Sequence, residues 1–156
     1  MKRAAPVRRA RAADARAIHA LEEHFPSDRM SLRSVRGFLR SPRAQVWVSD
    51  GSDLRLHGCL ILLTRAHSRK ARIYSVVVDP AARGQGLGVR LVQAAQSWAR
   101  GHGCTQVYLE VREDNHAARA LYAKLGYAES ARLPGFYDDG ADGLRLARPL
   151  TRARRR

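Results

Sequence analysis

The segment that most constrains this chain is a run of valines that leads through a glycine-rich turn into an amphipathic pattern. Residues 73–78 are rich in apolar side chains and end in Val76-Val77-Val78, which predicts a strand covered on both faces. Gly84, Gly86 and Gly88 follow, and apolar residues at helical spacing then predict a helix over residues 87–99. A buried strand that feeds a helix in this way is typical of an α/β domain.

The glycines between this strand and helix allow two interpretations. Glycine lets the backbone approach a ligand, and a helix N-terminus adds a partial positive charge, so the two together suit a pyrophosphate. Alternatively, the glycines only permit tight packing of the helix on the sheet. Spacing excludes two common phosphate loops: a P-loop needs a lysine, and none lies between Lys70 and Lys124, while GxGxxG fails from Gly84 and from Gly86.

The spacing that does fit is Arg83-x-x-Gly86-x-Gly88, which resembles the (Arg/Gln)-x-x-Gly-x-(Gly/Ala) motif of the GNAT N-acetyltransferases. A second block resembles the other motif of that superfamily: Leu109-Glu110-Val111-Arg112-Glu113-Asp114-Asn115, then Ala118, Ala120-Leu121-Tyr122 and Leu125-Gly126-Tyr127. The resemblance is strongest over residues 73–143 and is greatest to the ribosomal-protein alanine N-acetyltransferases. Phe136 and Gly143 depart from that branch, which has Tyr and Ala at these places.

The rest of the chain is predicted to complete one domain over residues 1–156. Strands are predicted over residues 6–10, 45–50, 54–64, 106–111, 128–133 and 143–149, and further helices over residues 15–25, 31–41 and 115–125. Asp14 is the expected N-cap of the first of these helices. With the resemblance, this order implies a single-domain α/β GNAT fold, a mixed and mostly antiparallel sheet of six to seven strands with a central parallel pair and about four helices on both faces.

The basic charge of the chain is concentrated at its ends. The 156 residues carry 29 Lys and Arg against 14 Asp and Glu, a formal net charge of +15. Nine of these excess charges lie in residues 1–11 and 152–156, which contain no acidic residue. Solvated basic tails explain this distribution, and weak association of residues 1–5 and 152–156 with nucleic acid or the ribosome stays open.

Other sequence features indicate a cytoplasmic protein. The longest uninterrupted apolar run, residues 59–63, is far shorter than the about 20 residues that a membrane-spanning helix needs, so no membrane partner is expected. The two cysteines, Cys59 and Cys104, form neither a CxxC pair nor a disulfide framework, which favours a reducing compartment.

The resemblance implies acetyl-CoA as co-substrate, and we expect no metal. The backbone of three residues would pair with the pantetheine arm like an added strand: Val76, Val77 and Val78. The pyrophosphate would bind Arg83 and the backbone N–H groups of the turn, which come from Gly84, Gln85, Gly86, Leu87, Gly88 and Val89.

Three further residues have both a structural and a functional interpretation. The apolar residues of the predicted strand 106–111 share one face, so Glu110 lies on the other, where a carboxylate is ordinarily solvated. The resemblance implies that Glu110 is the base that deprotonates the attacking amine. Tyr122 is either a core aromatic residue or, as the resemblance implies, the acid that protonates departing CoA. Asn115 caps the last helix, binds the pantetheine, or does both.

The acceptor is less determined than the donor. No cysteine or serine stands in a nucleophile context, so we expect direct attack of an amine on acetyl-CoA in a ternary complex. The resemblance implies entry between residues 25–31 and 133–142 and favours the α-amine of a peptide or protein. A lysine side chain, a small-molecule amine, and a domain that binds CoA or nucleic acid without catalysis stay open, as does a monomer or homodimer. These segments contain acidic residues that either attract a cationic amine or cap loops: Asp28, Asp138, Asp139 and Asp142.

Overall fold

The computed structural model of the protein describes residues 5–25 and 29–151. Asp28 and both ends of the chain beyond residues 5 and 151 therefore lie outside the described residues. The described residues form seven strands: β1 (Val7–Arg9), β2 (Ala44–Asp50), β3 (Leu56–Leu63), β4 (Lys70–Val78), β5 (Gln106–Arg112), β6 (Ala128–Leu133) and β7 (Gly143–Pro149). The same residues form four α-helices: α1 (Ala15–Leu21), α2 (Leu32–Arg40), α3 (Leu87–Gly101) and α4 (His116–Lys124).

All seven strands belong to one sheet, in the order β1-β2-β3-β4-β5-β7-β6. Strands β4 and β5 are parallel, and the other neighbouring strands are antiparallel. A parallel pair needs a crossover, and α3 supplies it. The predicted mixed sheet with a central parallel pair is confirmed.

Helices cover both faces of the sheet, so the central strands are buried on two sides. On one face, α3 contributes Leu87, Leu91 and Ala95 to a core with Trp47 of β2 and Leu60 of β3. On the other face, Ile18 of α1 and Val35 of α2 pack against strand side chains that alternate with the first set: Val46, Val48, Cys59, Ile61 and Val77. The period of two along each strand thus divides its residues between the two cores.

One local prediction is wrong, and another holds for position but not for contact, since Asp14 is the N-cap residue of α1. The returning strand of the hairpin begins at Leu56 rather than at residue 54, because Asp53 and Leu54 have φ angles of 56° and 64° and belong to the turn. Asp14 does not cap α1 with its side chain. Its carboxylate accepts the backbone N–H of Arg11 at 2.7 Å instead, because a short 3-10 turn (Ala12–Asp14) precedes the helix.

Candidate active site

A cleft opens at the centre of the sheet because the two parallel strands separate. Within β4 and β5, pairing covers only three positions and ends where Arg72 lies beside Tyr108. Beyond that point β4 contains a bulge, since Ser75 pairs with Ile61 and Ile73 with Leu62, which leaves Tyr74 extra. A bulge bends and twists its strand, and here it accompanies the separation of β4 from β5. The cleft between the two strands has a volume of about 500 Å³.

The free edge of β4 gives the cleft a wall of backbone hydrogen-bonding groups. The N–H of Asp79 donates to the carbonyl of His57 at 2.8 Å, and the register continues with Val78 opposite Gly58 and Val77 opposite Cys59. Because hydrogen-bonded pairs alternate in an antiparallel ladder, Val77 directs its N–H and C=O toward β3. Val76 and Val78 direct theirs away from β3, toward the free edge of β4. Of the three valines predicted to bind the donor, two therefore offer free backbone groups there.

The glycine turn at the end of β4 adopts a conformation that favours glycine. Gly84 and Gly86 have φ angles of +80° and +72°, a region that side-chain-bearing residues rarely adopt. A Cβ built on Gly84 or Gly86 would meet no atom within 4 Å, and one on Gly88 would make only ordinary contacts of 3.9 Å. Tight packing therefore does not require these glycines. They set the backbone and leave open space above it.

The turn presents the beginning of α3 to this open space. Gly86 is the N-cap and the Arg90 N–H donates to its carbonyl at 3.1 Å, so the preceding N–H groups of the first turn have no partner within the helix. The side chain of Leu87 is buried and anchors the helix in the core. Arg83 and Gln85 are exposed on the turn, while Gly88 and Val89 are half-buried in the first turn of the helix. The residues predicted to hold a pyrophosphate are thus contiguous at one helix N-terminus.

Glu110 lies on the opposite wall of the cleft, and two arginines hold its carboxylate. Its side chain is only 7% exposed. Arg72 Nε donates to Oε2 at 3.0 Å, and Arg145 Nη2 donates to Oε1 at 3.2 Å. The expectation that Glu110 faces away from the apolar side of β5 is confirmed, because burial alternates along the strand, with Val107, Leu109 and Val111 on the more buried face. Glu110 also lines the cleft. Its carboxylate is buried and paired rather than solvated.

Tyr122 on α4 lines the same cleft. It belongs to the core on the face of the sheet that α3 covers. Its side chain is buried, and burial raises the pKa of its hydroxyl to about 12. Its ring packs edge-on against that of Tyr127 with centroids 5.4 Å apart, and the hydroxyl of Tyr127 donates to Gln96 Oε1 at 2.7 Å. Tyr122 is therefore a core aromatic residue that also borders the cleft, so its two interpretations are compatible.

Asn115 also has a structural role and a place at the cleft. Its Oδ1 accepts the N–H of Ala118 at 3.1 Å, so it is the N-cap of α4 as expected. Asn115 also lines the cleft. Since the cap uses the side-chain oxygen, the amide nitrogen is the group that is available for a ligand.

The outer part of the cleft is aromatic and apolar. Its walls come from the segment after α1, the segment before α2, the bulge in β4 and the loop between β6 and β7, and the residues are Phe25, Met30, Tyr74, Phe136 and Tyr137. Two of the acidic residues of that loop are engaged locally. Asp139 pairs with Arg112 at 2.9 Å, and Asp142 pairs with Arg132 at 2.8 Å and accepts the Gly135 N–H. These ion pairs and hydrogen bonds favour the loop-cap interpretation for both aspartates.

Sequence reasoning missed three residues at this site. Arg72 and Arg145 contact Glu110 from the strands on either side of β5. The β5–β7 register places Arg145 opposite Glu110, and a pairing of this kind depends on two strands that are distant in the chain. Tyr74 was missed as well, because a bulge leaves no distinctive residue pattern in a single sequence.

Comparison with known proteins identifies this arrangement. Residues 11–127 match the model of the Acetyltransferase (GNAT) family, which is more than half of the chain. The chain belongs to the GNAT family. The membership predicted from the two motifs is confirmed, and the family match also covers most of the first 70 residues, where the motifs gave little detail.

Two relatives of this GNAT protein are named as N-alpha-acetyltransferases. It is 40% identical over 104 residues to N-alpha-acetyltransferase RimI of Mycobacterium tuberculosis, which covers 66% of this chain and 64% of the relative. It is 37% identical over 83 residues to an N-alpha-acetyltransferase of Saccharolobus solfataricus, which covers 53% of this chain and 50% of the relative. The matches thus span from half to just under two thirds of these relatives.

A solved structure confirms the GNAT fold of the chain. The ribosomal-protein-S18-alanine N-acetyltransferase of Escherichia coli superposes with a TM-score of 0.83 and 24% identity, covering 95% of both chains.

None of the helices in residues 5–25 and 29–151 is long and apolar enough to cross a membrane. In the same residues, no group of three His, Cys, Asp or Glu side chains is arranged to hold a metal ion.

Proposed function

We propose that this GNAT protein transfers the acetyl group of acetyl-CoA to the α-amine of a peptide or protein. The observation that carries the proposal is the cleft itself. One cavity joins the free backbone edge of β4, the carboxylate of Glu110 and the hydroxyl-bearing ring of Tyr122, and β4 leads through the glycine turn to the N-terminus of α3, a position that suits an anion. A donor with an extended amide arm and a pyrophosphate fits the order in which these groups follow one another in space.

The donor would lie along β4 with its phosphates at the glycine turn. Val76 and Val78 would exchange backbone hydrogen bonds with the pantetheine amides, and Asn115 would offer its amide nitrogen from the other wall. The N–H groups from Gly84 to Val89 would receive the pyrophosphate, with Arg83 as an exposed cation beside it. An N–H group of β4 near the thioester would polarise its carbonyl oxygen.

The acceptor amine would attack the thioester from the side of Glu110. The ammonium first gives one proton to the Glu110 carboxylate, directly or through one water. The neutral nitrogen then forms a bond to the acetyl carbonyl carbon, the carbon–sulfur bond breaks, and the nitrogen releases its second proton, which replaces the one that the sulfur takes up. Arg72 and Arg145 act here by holding the carboxylate at the branch point of β4 and β5, so that it is already oriented when the amine arrives.

The leaving sulfur would take its proton from Tyr122. With a pKa of about 12, this hydroxyl keeps its proton at neutral pH. Transfer to a thiolate of pKa about 8.5 is uphill by about 5 kcal/mol in the free protein. The donor-bound state must therefore favour the transfer. The first turn of α3 lies against α4, where a Cβ on Gly88 would be 3.9 Å from Leu121, and its positive end supplies such a field.

The choice of a peptide or protein α-amine rests on the relatives and on the size of the cleft. Both curated relatives described above are named N-alpha-acetyltransferases. The outer part of the cleft is wide enough for aromatic residues from three segments and Met30 from a fourth to line it, which suits a chain rather than a bare ammonium. A cytoplasmic location and a monomeric or homodimeric state stay predictions.

The test is release of free CoA from acetyl-CoA in the presence of N-terminal peptides, N-blocked lysine peptides, polyamines and aminoglycosides. We expect turnover with N-terminal peptides, and a loss of kcat of about 10²- to 10⁴-fold in Glu110→Gln and in Tyr122→Phe. Glu129→Gln is the matched control, since Glu129 is an exposed carboxylate on β6 that pairs with Arg119.

Each outcome separates the hypotheses. If Glu110→Gln and Tyr122→Phe acetylate as fast as the parent, their assigned roles are wrong. Turnover with lysine peptides or small amines alone would move the acceptor to those classes. If acetyl-CoA raises the melting temperature but no amine is acetylated, the protein binds CoA without catalysis.

A further inference from the structure

The outer wall of the cleft contains an exposed aromatic side chain on a well-fixed loop. Phe136 is 45% exposed, which is rare for a large apolar residue among those described. Its ring packs edge-on against Tyr137, with centroids 5.1 Å apart. The loop is closed by hydrogen bonds from the Tyr137 N–H to the Ala141 carbonyl and from the Gly135 N–H to Asp142. An exposed ring on a fixed loop loses little entropy when a ligand packs against it.

A glycine on β7 makes room for this ring. A Cβ built on Gly143 would lie 3.2 Å from both Cβ and Cδ1 of Phe136, closer than ordinary carbon contacts. Gly143 has no positive φ that would explain its presence. The two residues are therefore one feature, in which the missing side chain at 143 lets Phe136 rest against the strand and project into the cleft. This pair lies beyond residue 127, where the family match ends.

A second exposed ring lines the same cleft from β4. Tyr74, the bulge residue, is 44% exposed and packs against Phe38 of α2 with centroids 5.0 Å apart. Met30 and Phe25 add partly buried apolar surface. The outer cleft is thus bordered by two rings that are supported from behind and exposed at the front.

The arginines near these rings already have carboxylate partners, so their charge is compensated. Arg112 forms ion pairs with Asp114 at 3.1 Å and with Asp139 at 2.9 Å, and it lies over the Tyr137 ring. Arg72 uses its Nε for Glu110. An acidic group of the acceptor would have to compete with these carboxylates, whereas an apolar group would only displace water from the rings.

We propose that Phe136, as positioned by Gly143, and Tyr74 form a specificity subsite for an apolar side chain of the acceptor. This inference rests on the proposed function, and it names the acceptor class more closely: a peptide with an apolar side chain on one of its first two residues. The reacting amine lies toward Glu110, deeper in the same cleft, and the apolar side chain lies between the two exposed rings.

The test is a matched peptide panel with acetyl-CoA. Leu, Ser, Asp and Lys are placed in turn at the first and at the second residue of one sequence, and kcat/KM is measured for each peptide. We expect the Leu peptide to exceed the Ser, Asp and Lys peptides by about tenfold or more at one of the two positions, since a buried methylene group in an apolar pocket is worth roughly this factor.

Three variants test the subsite itself. Phe136→Ala should raise KM for the preferred Leu peptide about tenfold and change kcat less than twofold. Gly143→Ala should do the same by displacing the ring, whereas Phe136→Leu should keep most of the preference. Leu54→Ala is the control, because Leu54 is 99% exposed in the β2–β3 turn, away from the residues that line the cleft.

The outcomes distinguish this inference from the proposed function. Equal rates across the panel, or a preference for Asp or Lys, would overturn the apolar subsite and leave N-terminal acetylation standing. A Leu preference that survives in both Phe136→Ala and Gly143→Ala would also overturn it. Failure of every N-terminal peptide would overturn the proposed function, and the subsite with it.

Discussion

Glu110 is a buried charge whose partners come from both neighbouring strands. Burying a carboxylate costs several kcal/mol unless it is paired and hydrogen-bonded, and two arginines meet that requirement. Arg145 is fixed by its register opposite Glu110, and Arg72 by its position at the last β4–β5 pair. The Nε of Arg145 is buried and has no hydrogen-bond partner among the described residues, so this arginine depends on its contact with Glu110. Charge compensation and orientation of the proposed base thus have the same source.

This dependence predicts a strong coupling between Arg145 and Glu110. Arg145→Gln should lower the free energy of unfolding by about 1–2 kcal/mol, because it removes a hydrogen bond to a charged group and leaves the buried carboxylate with one partner. In the Glu110→Gln background the same change should cost much less. Urea unfolding of the parent, both single variants and the double variant measures the coupling energy directly.

Arg132→Gln is a suitable control for that cycle. Arg132 pairs with the exposed carboxylates of Glu113 and Asp142 on the surface, where ion pairs contribute little. It should show no coupling to Glu110. An equal loss of stability for Arg145→Gln in both backgrounds would mean that Arg145 contributes by packing and not through the carboxylate.

At the scale of elements, the glycine turn joins β4 to α3, and its conformation depends on Asp79 and on two glycines. Asp79 accepts the Ala81 N–H at 2.9 Å and ends the strand, and two positive-φ glycines then reverse the chain before α3 begins. Any other residue at Gly84 or Gly86 would therefore strain the backbone. A comparison of alanine at a strained glycine and at an unstrained one shows whether this conformation matters for ligand binding.

Gly86→Ala should weaken CoA binding, whereas Gly101→Ala should not. Both positions have open space for a Cβ, but only Gly86 has a positive φ, so alanine there is strained by about 1–2 kcal/mol. Gly101 ends α3 in the ordinary helical region, where alanine is favoured by up to about 1 kcal/mol. Calorimetric titration with CoA should give a Kd about tenfold higher or more for Gly86→Ala and an unchanged Kd for Gly101→Ala. Equal Kd values in both variants would argue against a ligand at this turn.

The sequence predicted elements well where the pattern is local and strong. The strand before the glycine turn, the helix predicted to follow that turn and the helix predicted over residues 31–41 all agree with the structure. The error at Leu54 and the unexpected side-chain partners of Asp14 have a common cause. Turn length and helix entry depend on backbone angles and on distant partners, such as Arg8 for Asp14, which hydrophobic spacing does not contain.

The same limit applies to the candidate site. Glu110, Asn115 and the glycine turn were predicted because each belongs to a contiguous motif. Arg145 was not, since its role comes from a strand pairing between residues 35 positions apart. Contacts of that kind require the topology first, and a single sequence without a known fold does not provide it.

For the molecule as a whole, part of the basic N-terminal segment is structural and not a solvated tail. Arg8 of β1 forms hydrogen-bonded ion pairs with Asp14, before α1, and with Asp50, at the end of β2, each at 2.9 Å. Arg9 lies over the ring of Trp47, 4.8 Å from its centroid. These contacts fasten the edge strand to the domain, so some of the positive charge near the N-terminus stabilises the fold.

This fastening predicts how stability depends on pH. The Arg8 guanidinium holds the pKa of Asp14 and of Asp50 below the ordinary value of 3.8. The unfolded chain then binds protons at higher pH than the folded one, so the contribution is complete above about pH 5 and is lost as pH falls through the lowered values. Asp14→Asn should lower the melting temperature at pH 7, by an amount that corresponds to about 1 kcal/mol. The difference in melting temperature from the parent should shrink between pH 5 and pH 2.

The control is Asp53→Asn, in the exposed hairpin turn, which should show no such difference. A melting difference for Asp14→Asn that stays constant down to pH 2 would mean that the carboxylate charge is not what ties β1 to the domain.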